Sequence, residues 1–349
     1  MPSVKLAVIG LGLMGSRHVE LVQVHPRCEL VGVCDVEPGA ERIASQAGAP
    51  FYRDVDELLD RTQPDGAIIA TPSAQHFDAF AACALRKIHA LIEKPVADTL
   101  EAALRIAELA STTGTRALVG HHRRHNPLVK EAHAVVTGGQ IGKLVAASMM
   151  WTLMKPDEYF RVGWRTNRPD GGPVLINLVH ELDILRYVCG EIKQVYAQSS
   201  SAGRGFEVED SVSISLTFQN GAVGTIIGSD ATAAPWSYEA TSGENSLYSH
   251  VPENAYYFLG TEGALAFPKM ELWRYPDNSP RGWQHPLQKT VRAVAPADSL
   301  TNQLDHFCDV VEGTQPPVVD ASDGARSLAA ALAVLESSAT NMPVRPVVG

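Results

Sequence analysis

Residues 4–19 read VKLAVIGLGLMGSRHV, and the way this stretch folds decides the architecture of the residues after it. Residues 4–9 form an apolar run broken only by Lys5, as expected of a strand buried in a parallel sheet. Gly10, Gly12 and Gly15 then give the spacing GxGxxG, and SRHVELVQ takes up a helical period. Glycines so placed between a strand and a helix permit a tight turn, close approach of a pyrophosphate, and backbone amides aimed at its charge. The next apolar run, ELVGVCD, ends on Asp35, twenty positions beyond Gly15. A carboxylate at that point suits the ribose hydroxyls of NAD and repels the 2′-phosphate of NADP, so NAD rather than NADP is the expected cofactor.

Working outward, the alternation continues. DVDELLD reads as a short acidic helix, PDGAIIATP as a strand ending at Thr71 and Pro72, AQHFDAFAACALRK as a helix and HALIEKP as another strand. An amphipathic helix, ADTLEAALRIAELASTTG, and a last strand, TRALVG, complete the series. Strands alternating with helices predict a parallel sheet whose ligands bind beyond the carboxyl ends of the strands. Gly10, Asp35, Thr71 and Lys94 all fall at such ends. Lysine is rarely buried without a partner and proline cannot continue a central strand, so Lys94, held between Glu93 and Pro95, stops where a bound cofactor is expected.

A chain of 349 residues is too long for one ordinary core and suggests two domains. The pattern changes near residue 123. VAASMMWTLM, SVSISLTF, AVGTIIGS and AYYFLG read as strands of a mostly antiparallel sheet, and residues 299–313 and 320–341 return to helical periodicity. The expected fold is therefore α/β: an N-terminal Rossmann domain over residues 1–122, then an α+β domain over 123–349 with an open sheet. Its C-terminal helices are expected to pack back near the first domain. In SVSISLTF, Val212, Ile214, Leu216 and Phe218 point one way, while Ser211, Ser213, Ser215 and Thr217 make a small polar face.

Composition narrows the function classes. Hydrophobic residues make up 45% and charged residues 19%, as in a globular protein, and the formal net charge of -10 argues against nucleic acid or an anionic membrane as partner. The N-terminal MPSVKLAVIGLGLMG has the look of a signal peptide, but its glycine spacing explains it better. No apolar run is long enough to cross a bilayer. The five cysteines are widely spaced with no CxxC pair, which points to a reducing cytoplasm and gives no reason to expect a metal.

Together, VIGLGLMGSRHV, Asp35, TPSAQH, EKPVADT, GHHRRHNP and GGPVLINLVHELD resemble the glucose-fructose oxidoreductase, inositol dehydrogenase and MocA superfamily of nicotinamide-dependent oxidoreductases, over essentially the whole chain. The resemblance implies that Gly10, Gly12, Leu13, Met14, Gly15, Asp35, Thr71, Pro72, His76, Glu93 and Lys94 hold the cofactor. It makes Lys94 of EKP catalytic or substrate-binding, with Glu93 orienting its surroundings. It assigns a second motif to LINLVHELDILRY, where His180 and Asp183 lie three apart on one helical face, so that a carboxylate can orient an imidazole. Polyol dehydrogenases similar to inositol dehydrogenase usually carry an aspartate four before the histidine; Ile176 stands there, beside Asn177, which can orient a hydroxyl but cannot take its proton.

Oxidising a secondary alcohol needs a base at the oxygen and a hydride acceptor at the carbon. His180 suits the base, and Lys94 can stabilise the developing alkoxide. The segment HHRRHNP holds His121, His122, Arg123, Arg124 and His125, but two adjacent arginines argue against a metal on His121 and His125. A second cluster brings Arg161, Arg165 and Arg168. Arginine is the preferred planar partner of a carboxylate, so Arg123, Arg124 and Arg165 join Lys94, Asn177, His180 and Asp183 as expected substrate contacts. The expected substrate is a small molecule bearing a CH–OH group: a polyol, a sugar or a sugar acid. A carboxylated aromatic cis-dihydrodiol is an alternative. A redox-neutral glycosidase that retains NAD, or a cofactor-sensing regulator, is the alternative of another class. Association into a homodimer or homotetramer through the C-terminal sheet is expected, since family members often pair there.

Overall fold

The computed structural model describes residues 3–169 and 171–347. Among these, one compact unit takes in residues up to 122 together with 299–328, and a second takes in 123–298 with 329–347.

The first unit alternates strand and helix: β1 (Val4–Ile9), α1 (Leu13–Val24), β2 (Cys28–Cys34), α2 (Glu41–Ala47), β3 (Phe51–Tyr52), α3 (Val55–Thr62), β4 (Gly66–Ile69), α4 (His76–Leu85), β5 (His89–Ile92), α5 (Leu100–Thr113) and β6 (Ala117–Val119). Its six strands are all parallel, in the order β3-β2-β1-β4-β5-β6. The chain thus winds outward from β1 to β3, then returns to lay β4 on the other side of β1. Sheets with such a reversal bind ligands beyond the carboxyl ends of the strands on either side of it, here β1 and β4. Strands β1, β4 and β5 are buried almost end to end, because helices cover both faces. Leu6, Val8, Ile68, Leu91 and Leu118 meet Phe307 in the core.

The second unit contains α6 (Pro127–Thr137), β7 (Leu144–Thr152), α7 (Val179–Cys189), β8 (Ile192–Ser200), β9 (Ser211–Phe218), β10 (Val223–Ser229), α8 (Tyr238–Ser242), β11 (Tyr256–Gly260), β12 (Gly263–Phe267), β13 (Glu271–Arg274) and β14 (Gln288–Val291). Helix α9 (Ser299–Glu312) belongs to the first unit; α10 (Ala321–Thr340) begins in the first and ends in the second. The eight strands run β14-β13-β12-β11-β7-β10-β9-β8, antiparallel except for the β7–β10 pair. One face of this sheet joins α6, α7 and the end of α10 in a core that includes Trp151, Tyr256, Phe258, Leu182, Leu185 and Val334.

Its other face is bare. Ser213 and Ser215 lie on it as the sequence pattern predicts, but neighbouring strands add Val145, Val223, Ile227, Tyr257 and Leu259, each at least 40% exposed. The register puts Thr217, Val223, Ala146, Leu259 and Ala264 in one row across five strands. The face is more apolar than the Ser/Thr pattern of β9 alone implied.

Candidate active site

The candidate residues form two groups, one in each unit. In the first unit, backbone geometry explains each glycine of the turn after β1. Gly10 has φ +89°, and a Cβ there would lie 2.6 Å from the Thr71 amide nitrogen; one on Gly15 would fall 1.8 Å from the Gly10 carbonyl oxygen. These two glycines close the turn against β4 and against itself. A Cβ on Gly12 would meet nothing within 4 Å, so the protein's own packing does not require that glycine, whereas a close pyrophosphate does. Helix α1 starts at Leu13 with no side-chain cap, leaving its first amides for an anion. Leu13 is exposed and Met14 half-buried.

At the end of β2, Asp35 is fixed by the backbone: Oδ2 accepts the Leu11 amide at 2.5 Å and Oδ1 the Glu37 amide at 2.8 Å. A carboxylate has about four acceptor positions, so two remain for ribose hydroxyls. At the end of β4, the Thr71 hydroxyl oxygen is buried with no hydrogen-bond partner among the described residues. Buried hydroxyls almost always have one, so a bound group would complete it. Together, the open Gly12, the uncapped helix and this hydroxyl fit a dinucleotide.

Two expected cofactor residues have structural work instead. His76 is 1% exposed; Nε2 faces the Thr71 carbonyl oxygen at 2.9 Å, and Nδ1 faces those of Pro95 and Val96 at 3.1 and 3.3 Å. It straps the end of β4, beside Pro72, to the loop after β5, and burial lowers its pKa. Neither ring nitrogen is presented to a ligand. Glu93 is also buried, 2.7 Å from His18 Nε2, and its second oxygen accepts the Lys94 amide at 3.2 Å. Burial pushes this carboxyl up, but the His18 hydrogen bond and the nearby charges of His18, Lys94 and His122 outweigh it, and the net shift is downward. Glu93 therefore orients the backbone at Lys94, which is half-buried and joined to Pro95 by a cis peptide.

In the second unit, a π turn over Val174–Leu178 leads into α7. π turns within helices are rare and concentrate at functional sites. This one carries Ile176 and Asn177, and His180 follows in the first turn of α7, 6% exposed. The arginines before it separate sharply. Arg123 is 3% exposed; Nη1 bonds Glu181 at 2.5 Å and Nη2 bonds Glu239 at 2.6 Å, with Tyr256 donating to Glu181 and Trp151 to Glu239. Arg124 makes a bidentate pair with Asp183, at 2.9 and 2.7 Å. The expectation that Arg123 and Arg124 grip a substrate carboxylate is thus corrected: buried Glu181, half-buried Glu239 and buried Asp183 already occupy their forks. Asp183, 1% exposed, gives both oxygens to Arg124, so its main role is that ion pair rather than substrate contact.

Arg161 is exposed beside Glu158, and Arg168 is exposed. Arg165 differs. It lies over the Tyr159 ring at 4.0 Å and donates from Nη1 to the Tyr159 carbonyl, while its Nε is buried with no hydrogen-bond partner among the described residues.

Comparison with known proteins accords with this geometry. Residues 4–121 match a family model described as "Oxidoreductase family, NAD-binding Rossmann fold", and residues 129–266 match the GFO/IDH/MocA C-terminal domain. The chain belongs to the GFO/IDH/MocA oxidoreductase family. It is 28% identical over 314 residues to 1,5-anhydro-D-fructose reductase of Ensifer adhaerens, covering 87% of this chain and 86% of that protein. It is 27% identical over 352 residues to scyllo-inositol 2-dehydrogenase (NAD(+)) of Bacillus subtilis, covering 98% and 96%. An oxidoreductase from Agrobacterium radiobacter, crystallised with NAD+, L-tartaric acid and magnesium, superposes with a TM-score of 0.84 at 20% identity, over 99% of this chain and 98% of that one.

For a GFO/IDH/MocA protein, one further residue stands out that sequence reasoning missed. Lys155, just beyond β7, is 8% exposed. It donates to Asn177 Oδ1 at 2.7 Å and pairs with Asp230 at 3.2 Å. Burial lowers its pKa, and Asp230 only partly offsets this. Lysine only donates, so Asn177 must turn its oxygen to Lys155 and keep its amide N–H groups for other partners. A signal existed: Lys155-Pro156 follows a strand, as Lys94-Pro95 does.

Proposed function

We propose that the chain catalyses NAD-dependent interconversion of a CH–OH group and a carbonyl on a sugar-like or polyol substrate. The observation that carries this reading is the cradle after β1, with Asp35 locked at the end of β2 and Lys94 at the end of β5. Gly10, Gly12, Gly15, Asp35 and Thr71 would hold NAD, which would supply a hydride acceptor for the carbinol carbon. His180 is the general base for the hydroxyl proton in this reading, and Lys94, at the end of β5, is the donor to developing negative charge. Asn177, its oxygen held by Lys155, offers only N–H donors. It therefore orients a substrate oxygen and leaves the proton to His180. The names of the reductase and dehydrogenase relatives support a sugar or polyol as the substrate class.

A carboxylate on the substrate is the finer part of the proposal, and it rests on Arg165 alone. Its buried, unused Nε edge, flattened on Tyr159, suits a planar acid. The test is NADH formation across polyols, sugar acids and carboxylated cis-dihydrodiols, with NADP as the competing cofactor. Turnover confined to uncharged polyols would remove the acid group; product formed with no net NADH would favour the redox-neutral alternative.

The bare face of the second sheet is the proposed surface for association with a second copy. Its apolar rows of small and medium side chains would allow two such faces to approach closely. Light scattering at micromolar concentration should return a dimer or tetramer, and a monomer would contradict it. No helix of the described residues is long and apolar enough to cross a membrane.

A further inference from the structure

The first unit holds a second cluster of reactive side chains, at the opposite end of its sheet from the cofactor cradle. His25 closes the C-terminus of α1, Cys28 opens β2, and Cys308 lies in α9. Cys28 begins the strand whose far end leads into Asp35, and seven residues of strand separate the two places by about 20 Å. His25 Nδ1 lies 3.3 Å from Cys28 Sγ, and Cys28 Sγ lies 3.4 Å from Cys308 Sγ. All three donor atoms fall within 4.8 Å of one another.

We propose that His25 Nδ1, Cys28 Sγ and Cys308 Sγ form a binding site for a thiophilic divalent cation of the zinc class, with water in the fourth position. Four observations carry it. The donor set is soft, two sulfurs and an imidazole, which selects such ions over magnesium or calcium.

The histidine is also oriented as a ligand. Its Nε2 faces Asp305 Oδ1 at 3.2 Å, and the Arg27 backbone amide, which can only donate, points at Nδ1 from 3.3 Å. The proton therefore sits on Nε2 and the lone pair on Nδ1, which accepts the Arg27 amide at 3.3 Å and would turn to the cation on binding. A carboxylate behind the distal nitrogen is the usual support of a metal-bound histidine.

The spacing favours a metal over a disulfide. Metal–sulfur bonds of about 2.3 Å in a tetrahedron put two sulfurs about 3.8 Å apart, whereas a disulfide needs about 2.05 Å. The observed 3.4 Å is about 0.4 Å from the first and about 1.3 Å from the second.

Finally, local charge suits a cation. Arg27 is the nearby positive group, and Asp305, Asp309 and Glu312 all engage it, at 3.5, 2.8 and 3.0 Å. On binding, both thiol protons pass to solvent and the two thiolates take up the ion's charge. Cys308 is fully buried and Cys28 half-buried, which leaves one side open for water.

The test is titration of the reduced, full-length protein with cobalt(II), followed by displacement with zinc(II). One equivalent should produce a thiolate-to-cobalt charge-transfer band in the near ultraviolet with intense tetrahedral bands in the visible, and zinc should abolish both. Cys28→Ser and Cys308→Ser should remove the charge-transfer signal, and Asp305→Asn should weaken affinity by about 10- to 100-fold. NADH binding by each variant serves as the check on folding, since the cradle lies at the other end of the sheet. The proposal is overturned if no charge-transfer band forms. It is equally overturned if the band survives both cysteine variants while NADH binding is normal, or if the thiols lose two hydrogens to a Cys28–Cys308 disulfide instead of taking up cobalt.

Discussion

Replacing Asp35 with asparagine separates the two roles this carboxylate has in the structure. Its oxygens accept the Leu11 and Glu37 amides at 2.5 and 2.8 Å, so it cannot swing away from a 2′-phosphate. Two unit charges about 5 Å apart repel by about 1 to 3 kcal/mol at effective dielectric constants between about 80 and 20, and a phosphate carries up to about two charges. The wild-type protein should therefore bind NADH at least about tenfold more tightly than NADPH. Asp35→Asn removes the repulsion and one charge-assisted hydrogen bond to ribose, worth about 1.5 to 3 kcal/mol. NADH affinity should fall by about tenfold or more while NADPH affinity holds or rises. Fluorescence titration of both nucleotides against both proteins measures this. Equal loss for the two cofactors would mean that Asp35 only supports the turn, and tighter NADPH binding by the wild type would refute the charge argument outright.

Lys94→Ala and His180→Ala should each lower kcat by about 100-fold or more, with NADH dissociation constants nearly unchanged; a variant turning over normally removes that residue from the chemistry. Arg165→Lys keeps the charge but loses the fork, so KM for an acidic substrate should rise about tenfold with less effect on a neutral analogue. Arg123→Met leaves buried Glu181 and half-buried Glu239 without their cation, and should cost about 3 to 5 kcal/mol in denaturant unfolding; a stable variant with raised KM for acids would return Arg123 to the substrate. The depressed Glu93 carboxyl stabilises the fold above the unfolded glutamate range, near pH 4.3, and that contribution is lost as pH falls through its lower folded value. Thermal unfolding of Glu93→Gln should show a flatter acid limb, and an unchanged limb would remove Glu93 from the acid response.

The first unit was legible because its signals are local. Strand β1, the glycine spacing and Asp35 follow one another in sequence, and each has a backbone reason for its residue type. Short elements escaped: β3 has two residues, too few for a period, and strands β12 to β14 are brief and interrupted by turns. The arginines were misread for a different reason. Nothing near Arg123 in sequence announces Glu181 or Glu239, which come from α7 and α8, or that Asp183 would face Arg124 with both oxygens. Buried charge pairs are long-range facts, and sequence spacing reports only neighbours. The same holds for His25, Cys28 and Cys308: the first two are three residues apart, but the third arrives 280 residues later, so cysteine spacing gave no reason to expect a metal.

The central claim is direct hydride transfer between a carbinol carbon and the nicotinamide. It is tested most directly with a turned-over substrate carrying deuterium on that carbon, followed by mass spectrometry and proton NMR of the NADH recovered. The proposed chemistry predicts deuterium on one face of nicotinamide C4, one atom for each carbonyl formed, with release of product and cofactor together. Deuterium that washes into solvent, or product formed while NAD is recovered unlabelled and oxidised, would contradict it.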